Sequence, residues 1–176
     1  MLQKARNYAI KAHQAQKYGD KPYIYHLDSV VKYLTKYTRE AQVVGYLHDI
    51  VEDTDRTLED VKEEFSEEIG EYIRLITDES GKNRDEIKRR TNEKLSLIPA
   101  DAKQSIVLIV KTADRLTNIE NSFANNQELF QMYVKEHSQF KKSVYRKGLC
   151  DELWDKIDRI IRMNSQLQIV NREEPP

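Results

Sequence analysis

The stretch His48-Asp49-Ile50-Val51-Glu52-Asp53 places an imidazole and three carboxylates within six consecutive residues. The surrounding pattern predicts a helix. At about 3.6 residues per turn, His48 and Glu52 lie one turn apart, as do Asp49 and Asp53, so all four side chains can face one cleft. A second histidine, His26, lies upstream in Pro22-Tyr23-Ile24-Tyr25-His26. A further aspartate, Asp114, lies downstream in Lys111-Thr112-Ala113-Asp114-Arg115-Leu116-Thr117-Asn118. Two imidazoles and two carboxylates make a candidate metal site. Nitrogen with carboxylate oxygen suits Mn, Fe, Co or Zn better than Ca, and the absence of cysteine from these motifs argues against a structural zinc finger. Four protein ligands leave positions for water and a phosphate oxygen, the layout of a hydrolytic site, and Glu52 and Asp53 are placed to orient or deprotonate that water. A lone His-Asp dipeptide is a weak signal, and Glu52, Asp53 and Asp55 also describe a solvated helix end. The combination carries the reading.

These residues need elements to position them. Ala5, Ala9 and Ala12 predict a first helix with a narrow, small-residue face. Leu27, Val30, Val31 and Leu34 predict a second, and Ala41, Val44, Leu47 and Val51 a third, which carries the His48-Asp49 pair. Thr57-Leu58-Glu59-Asp60 is a capping-box variant opening a short helix through Phe65, and Ser66 caps the next, with Ile69, Tyr72, Ile73 and Ile76 inward. A polar loop from Thr77 to Gly81 leads to a charged helix, Asn83 to Leu97, ended by Pro99. Ile106-Val107-Leu108-Ile109-Val110 has the composition of a buried strand. Val110, Ala113 and Leu116 extend it at helical spacing, so it reads as a buried helix running through Asn118. Two more helices are expected, from Gln127 to His137 and from Asp151 to Gln168.

The chain has 176 residues, with 29 Lys plus Arg against 30 Asp plus Glu, 5 Gly and 4 Pro. One all-α domain is expected over residues 1–170, with 171–176 a frayed tail. The charge balance argues against a dedicated nucleic-acid or membrane-surface binder. No apolar run spans a bilayer, and the N-terminus has no signal-peptide core, so a cytoplasmic setting is expected. The single cysteine, Cys150, rules out a disulfide framework within the chain and reads as inert packing. Nothing in the residues fixes an oligomeric state.

Residues 9–77 and 105–121 resemble the hydrolase domain of RelA/SpoT homologues, within the HD phosphohydrolase superfamily. The resemblance rests on Ala12-His13 with Gln16, on Pro22 to His26, on Leu47-His48-Asp49-Ile50-Val51-Glu52-Asp53-Thr54, on Phe65 and Thr77, and on Lys111 to Asn118. The short chain is similar to the stand-alone small alarmone hydrolases. The resemblance implies a compact HD-type helical bundle, with Mn²⁺ or another divalent transition metal held by His26, His48, Asp49 and Asp114. It implies that Glu52 and Asp53 activate water, that the substrate is a small-molecule nucleotide whose 3′-pyrophosphate is hydrolysed as in (p)ppGpp, and that Asn118 and Asn121 contact it. The chain departs from the family in three places, of which the second and third bear on substrate identity. Leu27 stands where the family has Pro. The loop Lys17-Tyr18-Gly19-Asp20-Lys21 is one residue shorter and lacks the Arg that stacks on guanine, leaving Lys17 or Tyr18 to pack on a base. The segment from 80 to 97 is densely basic. An adenosine alarmone or NADPH therefore stays open as substrate, as does a catalytically silent nucleotide-binding module.

A polyanionic substrate needs cations beside an acidic site, and Lys82, Arg84 and Lys88, with Lys21, are the expected suppliers. The alternative is a solvated helix face in which these charges pair with one another. His13 is expected to act as a buried hydrogen-bonding residue rather than a ligand, His137 as a surface residue, and Tyr145, Arg146 and Trp154 chiefly as packing.

Overall fold

The computed structural model describes the backbone of residues 1–173 and the side chains through Asn164. Of the expected tail, 171–173 continue the last helix and 174–176 lie outside the described residues. Helix α1 (Leu2–His13) buries Ala5 and Ala9 completely, and these small side chains let it sit close against α3. A short antiparallel hairpin follows, β1 (Lys17–Tyr18) with β2 (Lys21–Pro22), turned by Gly19 at φ 64°. The remaining elements are α2 (Ile24–Leu34), α3 (Arg39–Leu47), α4 (Ile50–Asp53), α5 (Leu58–Glu64), α6 (Glu67–Ile76), α7 (Arg84–Ser96), α8 (Ser105–Asn125), α9 (Gln127–Val144) and α10 (Asp151–Glu173). The architecture is all-α.

Helices α2, α3 and α8 form the centre, each packed on the other two. Leu27, Val30 and Leu34 of α2, Val43, Val44 and Leu47 of α3, and Val107, Leu108 and Leu116 of α8 are fully buried between them. The run from Ile106 to Val110 is helical. Tertiary burial on all sides explains why its residues are apolar without alternation. Helix α9 runs beyond His137 to Val144, because Phe140 and Val144 extend its buried face. His137 is not a surface residue: its Nε2 lies 2.9 Å from Asp158 Oδ1, in the half-buried seam between α9 and α10. Thr57 and Asp60 form the expected reciprocal capping box, and Ser66 caps α6. Burial pushes the Cys150 thiol up to about 11, which keeps it protonated and unreactive.

The expectation of one continuous helix through residues 41–53 is corrected. α3 ends at Leu47, and α4 begins again at Ile50. Between them Asp49 has φ −98° and ψ 1°, the bridge region where many active-site residues sit. Leu47 and Ile50, both fully buried, pin the two sides of the break.

Gly45 sets the distance between α3 and α2. A Cβ there would stand 2.5 Å from Leu34 Cδ1 and 3.1 Å from Val31 Cγ2. Leu34 is fully buried and Val31 is stiff at χ1, so neither can yield freely. Gly45→Ala is therefore expected to destabilise the domain by about 1–3 kcal/mol through overpacking. Thermal denaturation should show this as a loss of roughly 2–4 °C for each kcal/mol.

Candidate active site

The break between α3 and α4 has a chemical consequence. His48, the last residue of the α3 curve, turns its ring inward, and its Nδ1 lies 2.9 Å from the Gly45 carbonyl. A carbonyl only accepts, so Nδ1 carries the hydrogen and Nε2 presents a lone pair. His26, in the first turn of α2, presents Nε2 3.4 Å from His48 Nε2. Asp49 Oδ2 lies 3.0 Å from His48 Nε2 and 3.5 Å from His26 Nε2. Asp114, halfway along α8, brings Oδ1 to 3.3 Å from His26 Nε2 and 3.5 Å from His48 Nε2. Helices α2 and α8 and the break between α3 and α4 thus deliver four ligand atoms to one point.

Two buried imidazole nitrogens facing each other between carboxylates require positive charge at the centre. Burial lowers the affinity of the His48 ring for a proton, but Asp49 and Asp114 overcome this and hold the ring well above its usual range. Burial likewise opposes protonation of His26, and Asp114 and Asp49 raise it. Burial disfavours the Asp49 and Asp114 carboxylates, yet the two imidazoles hold both below the usual range. A divalent cation satisfies the same demand without protons. The donor set of two imidazole nitrogens and two carboxylate oxygens fits a transition metal, and the ligand atoms of His26, His48 and Asp49 all lie within 4.8 Å of one another, close enough to hold one.

The cluster opens on a cavity of about 220 Å³, whose lining includes Asp49, Glu52, Asp78, Asp114 and Asn118. Larger surface clefts of about 420 and 430 Å³ lie beside Arg6 and beside Tyr37, remote from this chemistry. Glu52 reaches the cavity wall, where its Oε1 accepts the Asp78 backbone N–H at 2.6 Å. Burial raises the Glu52 carboxyl above its ordinary value against the pull of Lys111. Asp53 stands outside the cavity lining and accepts from Gln16 Nε2 at 3.2 Å.

The same cavity is lined by four cations, Arg84, Lys88, Lys111 and Arg115, held by two acids. Asp78 pairs with Lys88 and with Lys111, whose Nζ lies 3.5 Å from Asp78 Oδ1 and 3.2 Å from the Ile76 carbonyl. Glu136 of α9 holds Arg84 Nε at 2.7 Å and Arg115 Nη1 at 3.2 Å. Each carboxylate is shared by two cations, so each triad carries a net positive charge. Burial disfavours ionised Asp78, but Lys111 and Lys88 hold it below its usual range, and Asp78 in turn raises buried Lys111. Arg115 is further fixed between the rings of Tyr133 and Phe140, at 4.7 and 4.3 Å.

Of the residues expected to meet substrate, Arg84, Lys88 and Asn118 line the cavity. Asn118 donates to Asp114 Oδ1 at 2.6 Å and accepts from Tyr18 Oη at 2.8 Å. Tyr18 stacks on His26 with centroids 4.6 Å apart, so the hairpin covers a ligand imidazole. Asn121 stands one turn beyond Thr117 and accepts from Asn125. Lys17, Lys21 and Lys82 are exposed and outside the lining, and Lys21 Nζ lies over Tyr25 at 3.9 Å. Sequence reasoning gave no role to Tyr23, Asp78, Lys111, Arg115 or Glu136. Lys111 and Arg115 are one turn apart on the helix of Asp114, which is a usable signal. Asp78 and Glu136 have no local signal, since their partners are distant in sequence. Arg146 caps the end of α7 through the Ser96 and Ile98 carbonyls and Trp154 is core, so neither approaches the cavity.

The HD domain family model matches residues 5–145. Guanosine-3′,5′-bis(diphosphate) 3′-pyrophosphohydrolase of Aquifex aeolicus is 32% identical over 139 residues, 77% of this chain, but the chain spans only 20% of that protein. The human guanosine-3′,5′-bis(diphosphate) 3′-pyrophosphohydrolase MESH1 is 32% identical over 127 residues, covering 68% of each chain. A solved structure described as a metazoan ortholog of SpoT that hydrolyzes ppGpp superposes with a TM-score of 0.80 at 24% identity, over 93% of this chain and 94% of that one. Matched by the family model over residues 5–145 and sharing its fold with a solved relative, this chain belongs to the HD domain family.

Proposed function

We propose that the chain is a metal-dependent hydrolase that removes pyrophosphate from the 3′ position of a guanosine-3′,5′-bis(diphosphate)-like nucleotide. The observation that carries this reading is that the four-atom ligand cluster and the cations of two net-positive triads line one cavity. A metal centre alone does not select a substrate, but fixed cations beside it suit a polyanion. The related proteins named for that activity supply the nucleotide.

His26, His48, Asp49 and Asp114 would hold the metal, with Mn²⁺ the preferred occupant. Such an ion, when bound, acidifies water and draws charge from a phosphoryl oxygen. Glu52 takes the proton of the attacking water at Oε2, since Oε1 is engaged by the Asp78 N–H. Asp53, next to Glu52 at the end of α4 but outside the cavity lining, is the second acid in this reading. Water adds to the phosphorus attached to the ribose 3′ oxygen, the P–O3′ bond breaks, and the departing 3′ oxygen takes up the proton that Glu52 received, so the products are pyrophosphate and a free 3′-hydroxyl. Arg84, Lys88, Lys111 and Arg115 neutralise the departing charge. Asn118 bonds the nucleoside, with Tyr18 closing the base end.

Purified protein should bind one divalent transition metal per chain, and EDTA should abolish hydrolysis of ppGpp. His48→Ala and Asp114→Ala should lose metal while circular dichroism still reports a helical fold. Full turnover in excess chelator rejects the reading. Glu52→Gln should keep metal and substrate affinity but lose kcat by about 10²-fold or more, the usual worth of a positioned base. Metal loss in that variant would make Glu52 a ligand instead. Arg84→Ala should raise KM or lower kcat/KM by roughly tenfold, equivalent to about 1.4 kcal/mol. Lys82→Ala, outside the cavity, should stay within about twofold by the same steady-state kinetics. Product analysis with ppGpp, ppApp and NADPH in parallel identifies the base.

A further inference from the structure

His13 is buried at the end of α1 and touches none of the four ligand atoms, yet it is linked to two of the site's carboxylates. Its Nδ1 lies 2.7 Å from Gln16 Oε1, and Gln16 Nε2 donates to Asp53 Oδ2 at 3.2 Å. Asp53 is an acceptor only, so Gln16 must turn its NH₂ toward it. Oε1 then faces His13, and Nδ1 must carry the hydrogen. The ring face stacks on Tyr23, with centroids 4.4 Å apart and planes 19° from parallel. Tyr23 Oη donates to Asp49 Oδ2 at 2.5 Å. One ring edge thus leads to Asp53, and one ring face leads to Asp49, the two acids one turn apart across the α3–α4 break.

The remaining ring nitrogen, Nε2, is buried without a hydrogen-bond partner. Leaving a buried polar atom unpaired costs free energy, and an apolar residue of similar size would avoid it. The cost persists because the ring's one polar bond directs Gln16. Backbone contacts fix the same geometry: Gln16 N–H donates to the His13 carbonyl at 2.8 Å, and Tyr23 N–H donates to the Gln16 carbonyl at 3.0 Å. Gln16 and Tyr23 are therefore held at a set distance on either side of the hairpin.

We propose that His13 is a positioning residue that sets Asp53 through Gln16 and Asp49 through Tyr23. The Asp53 branch rests on the hydrolytic reading given above; the Asp49 branch rests on the metal cluster alone. The two branches separate by substitution. His13→Phe keeps the ring face on Tyr23 and loses the bond to Gln16. Tyr23→Phe keeps the stack and loses the bond to Asp49.

Three measurements test this on the full chain. Nitrogen-15 NMR of the His13 ring should find the neutral form as the Nδ1–H tautomer, and Gln16→Leu should abolish that preference; an Nε2–H tautomer in the wild type overturns the proposal. Titration calorimetry with Mn²⁺ alone should show Tyr23→Phe weakening metal affinity by about tenfold or more, the typical loss when a partner of a ligand is removed. His13→Phe should leave it within about twofold. Unchanged affinity in Tyr23→Phe removes the Asp49 branch. Kinetics of metal-loaded His13→Phe and Gln16→Leu should show the same fall in kcat, about tenfold, with KM within about twofold. A loss that tracks the folded or metal-loaded fraction assigns the pair a structural role and overturns the Asp53 branch. If the wild type turns over no nucleotide, the hydrolytic reading fails, and the tautomer and metal titrations still decide the arrangement.

Discussion

Everything in this fold answers to one electrostatic demand: two imidazoles and two carboxylates meet within 3.5 Å where His26 and His48 are almost wholly buried. Desolvating such groups costs several kcal/mol each, and they converge only if the backbone leaves them no alternative. That compulsion comes from α2, α3 and α8, whose contact is filled by fully buried aliphatic side chains. Gly45 belongs to the same device twice over. Its missing Cβ permits the close approach of α3 to α2, and its carbonyl orients His48. Packing and ligand geometry are therefore one constraint at this position.

The second demand is on charge. A polyanion will not enter a cavity lined by Asp49, Glu52, Asp78 and Asp114 unless fixed cations outweigh them locally. Isolated lysines on the surface would be screened and mobile. Sharing Asp78 between Lys88 and Lys111, and Glu136 between Arg84 and Arg115, gives each cation a fixed place and leaves each triad one positive charge in excess. The inner member of each triad, Lys111 or Arg115, is buried, and the outer one is more exposed. The exposed member can turn toward a ligand while its buried partner maintains the field. Glu52 is tied to this wall through the Asp78 amide, so the base and the cations move together if either moves.

Much of this was legible in the residues. The helical order, the capping of α5 and α6, and the helical state of 106–110 follow from periodicity and caps, because those signals are local. The motifs around His26, His48 and Asp114 named the groups that the structure brings together. The break at Asp49 was not legible. Ala41, Val44, Leu47 and Val51 keep helical spacing across it, and only the burial of Leu47 and Ile50 on either side forces the turn. Nor were the triads legible, since Asp78 meets Lys88 of α7 and Lys111 of α8, and Glu136 of α9 meets Arg84 of α7 and Arg115 of α8, all distant in sequence or on other elements. The setting of His137 has the same cause: its partner Asp158 comes from another helix, and nothing local to His137 announces it.

Chemistry and recognition are built from different material. The metal ligands and Glu52 sit on helices or at a break pinned by core residues, and such positions hold to the fraction of an ångström that a reaction needs. The residues proposed to face the base sit on a hairpin of two residues per strand, and the outer cations follow the irregular segment between α6 and α7. Loops of this kind accept insertions and substitutions at little cost to the core. A motif can therefore announce the reaction while the substrate stays unwritten in it. Tyr18 shows the point physically. Its ring stacks on His26 and its hydroxyl bonds Asn118, so both its face and its polar end are already engaged by the site's own residues, and only what these contacts leave open is available to a ligand.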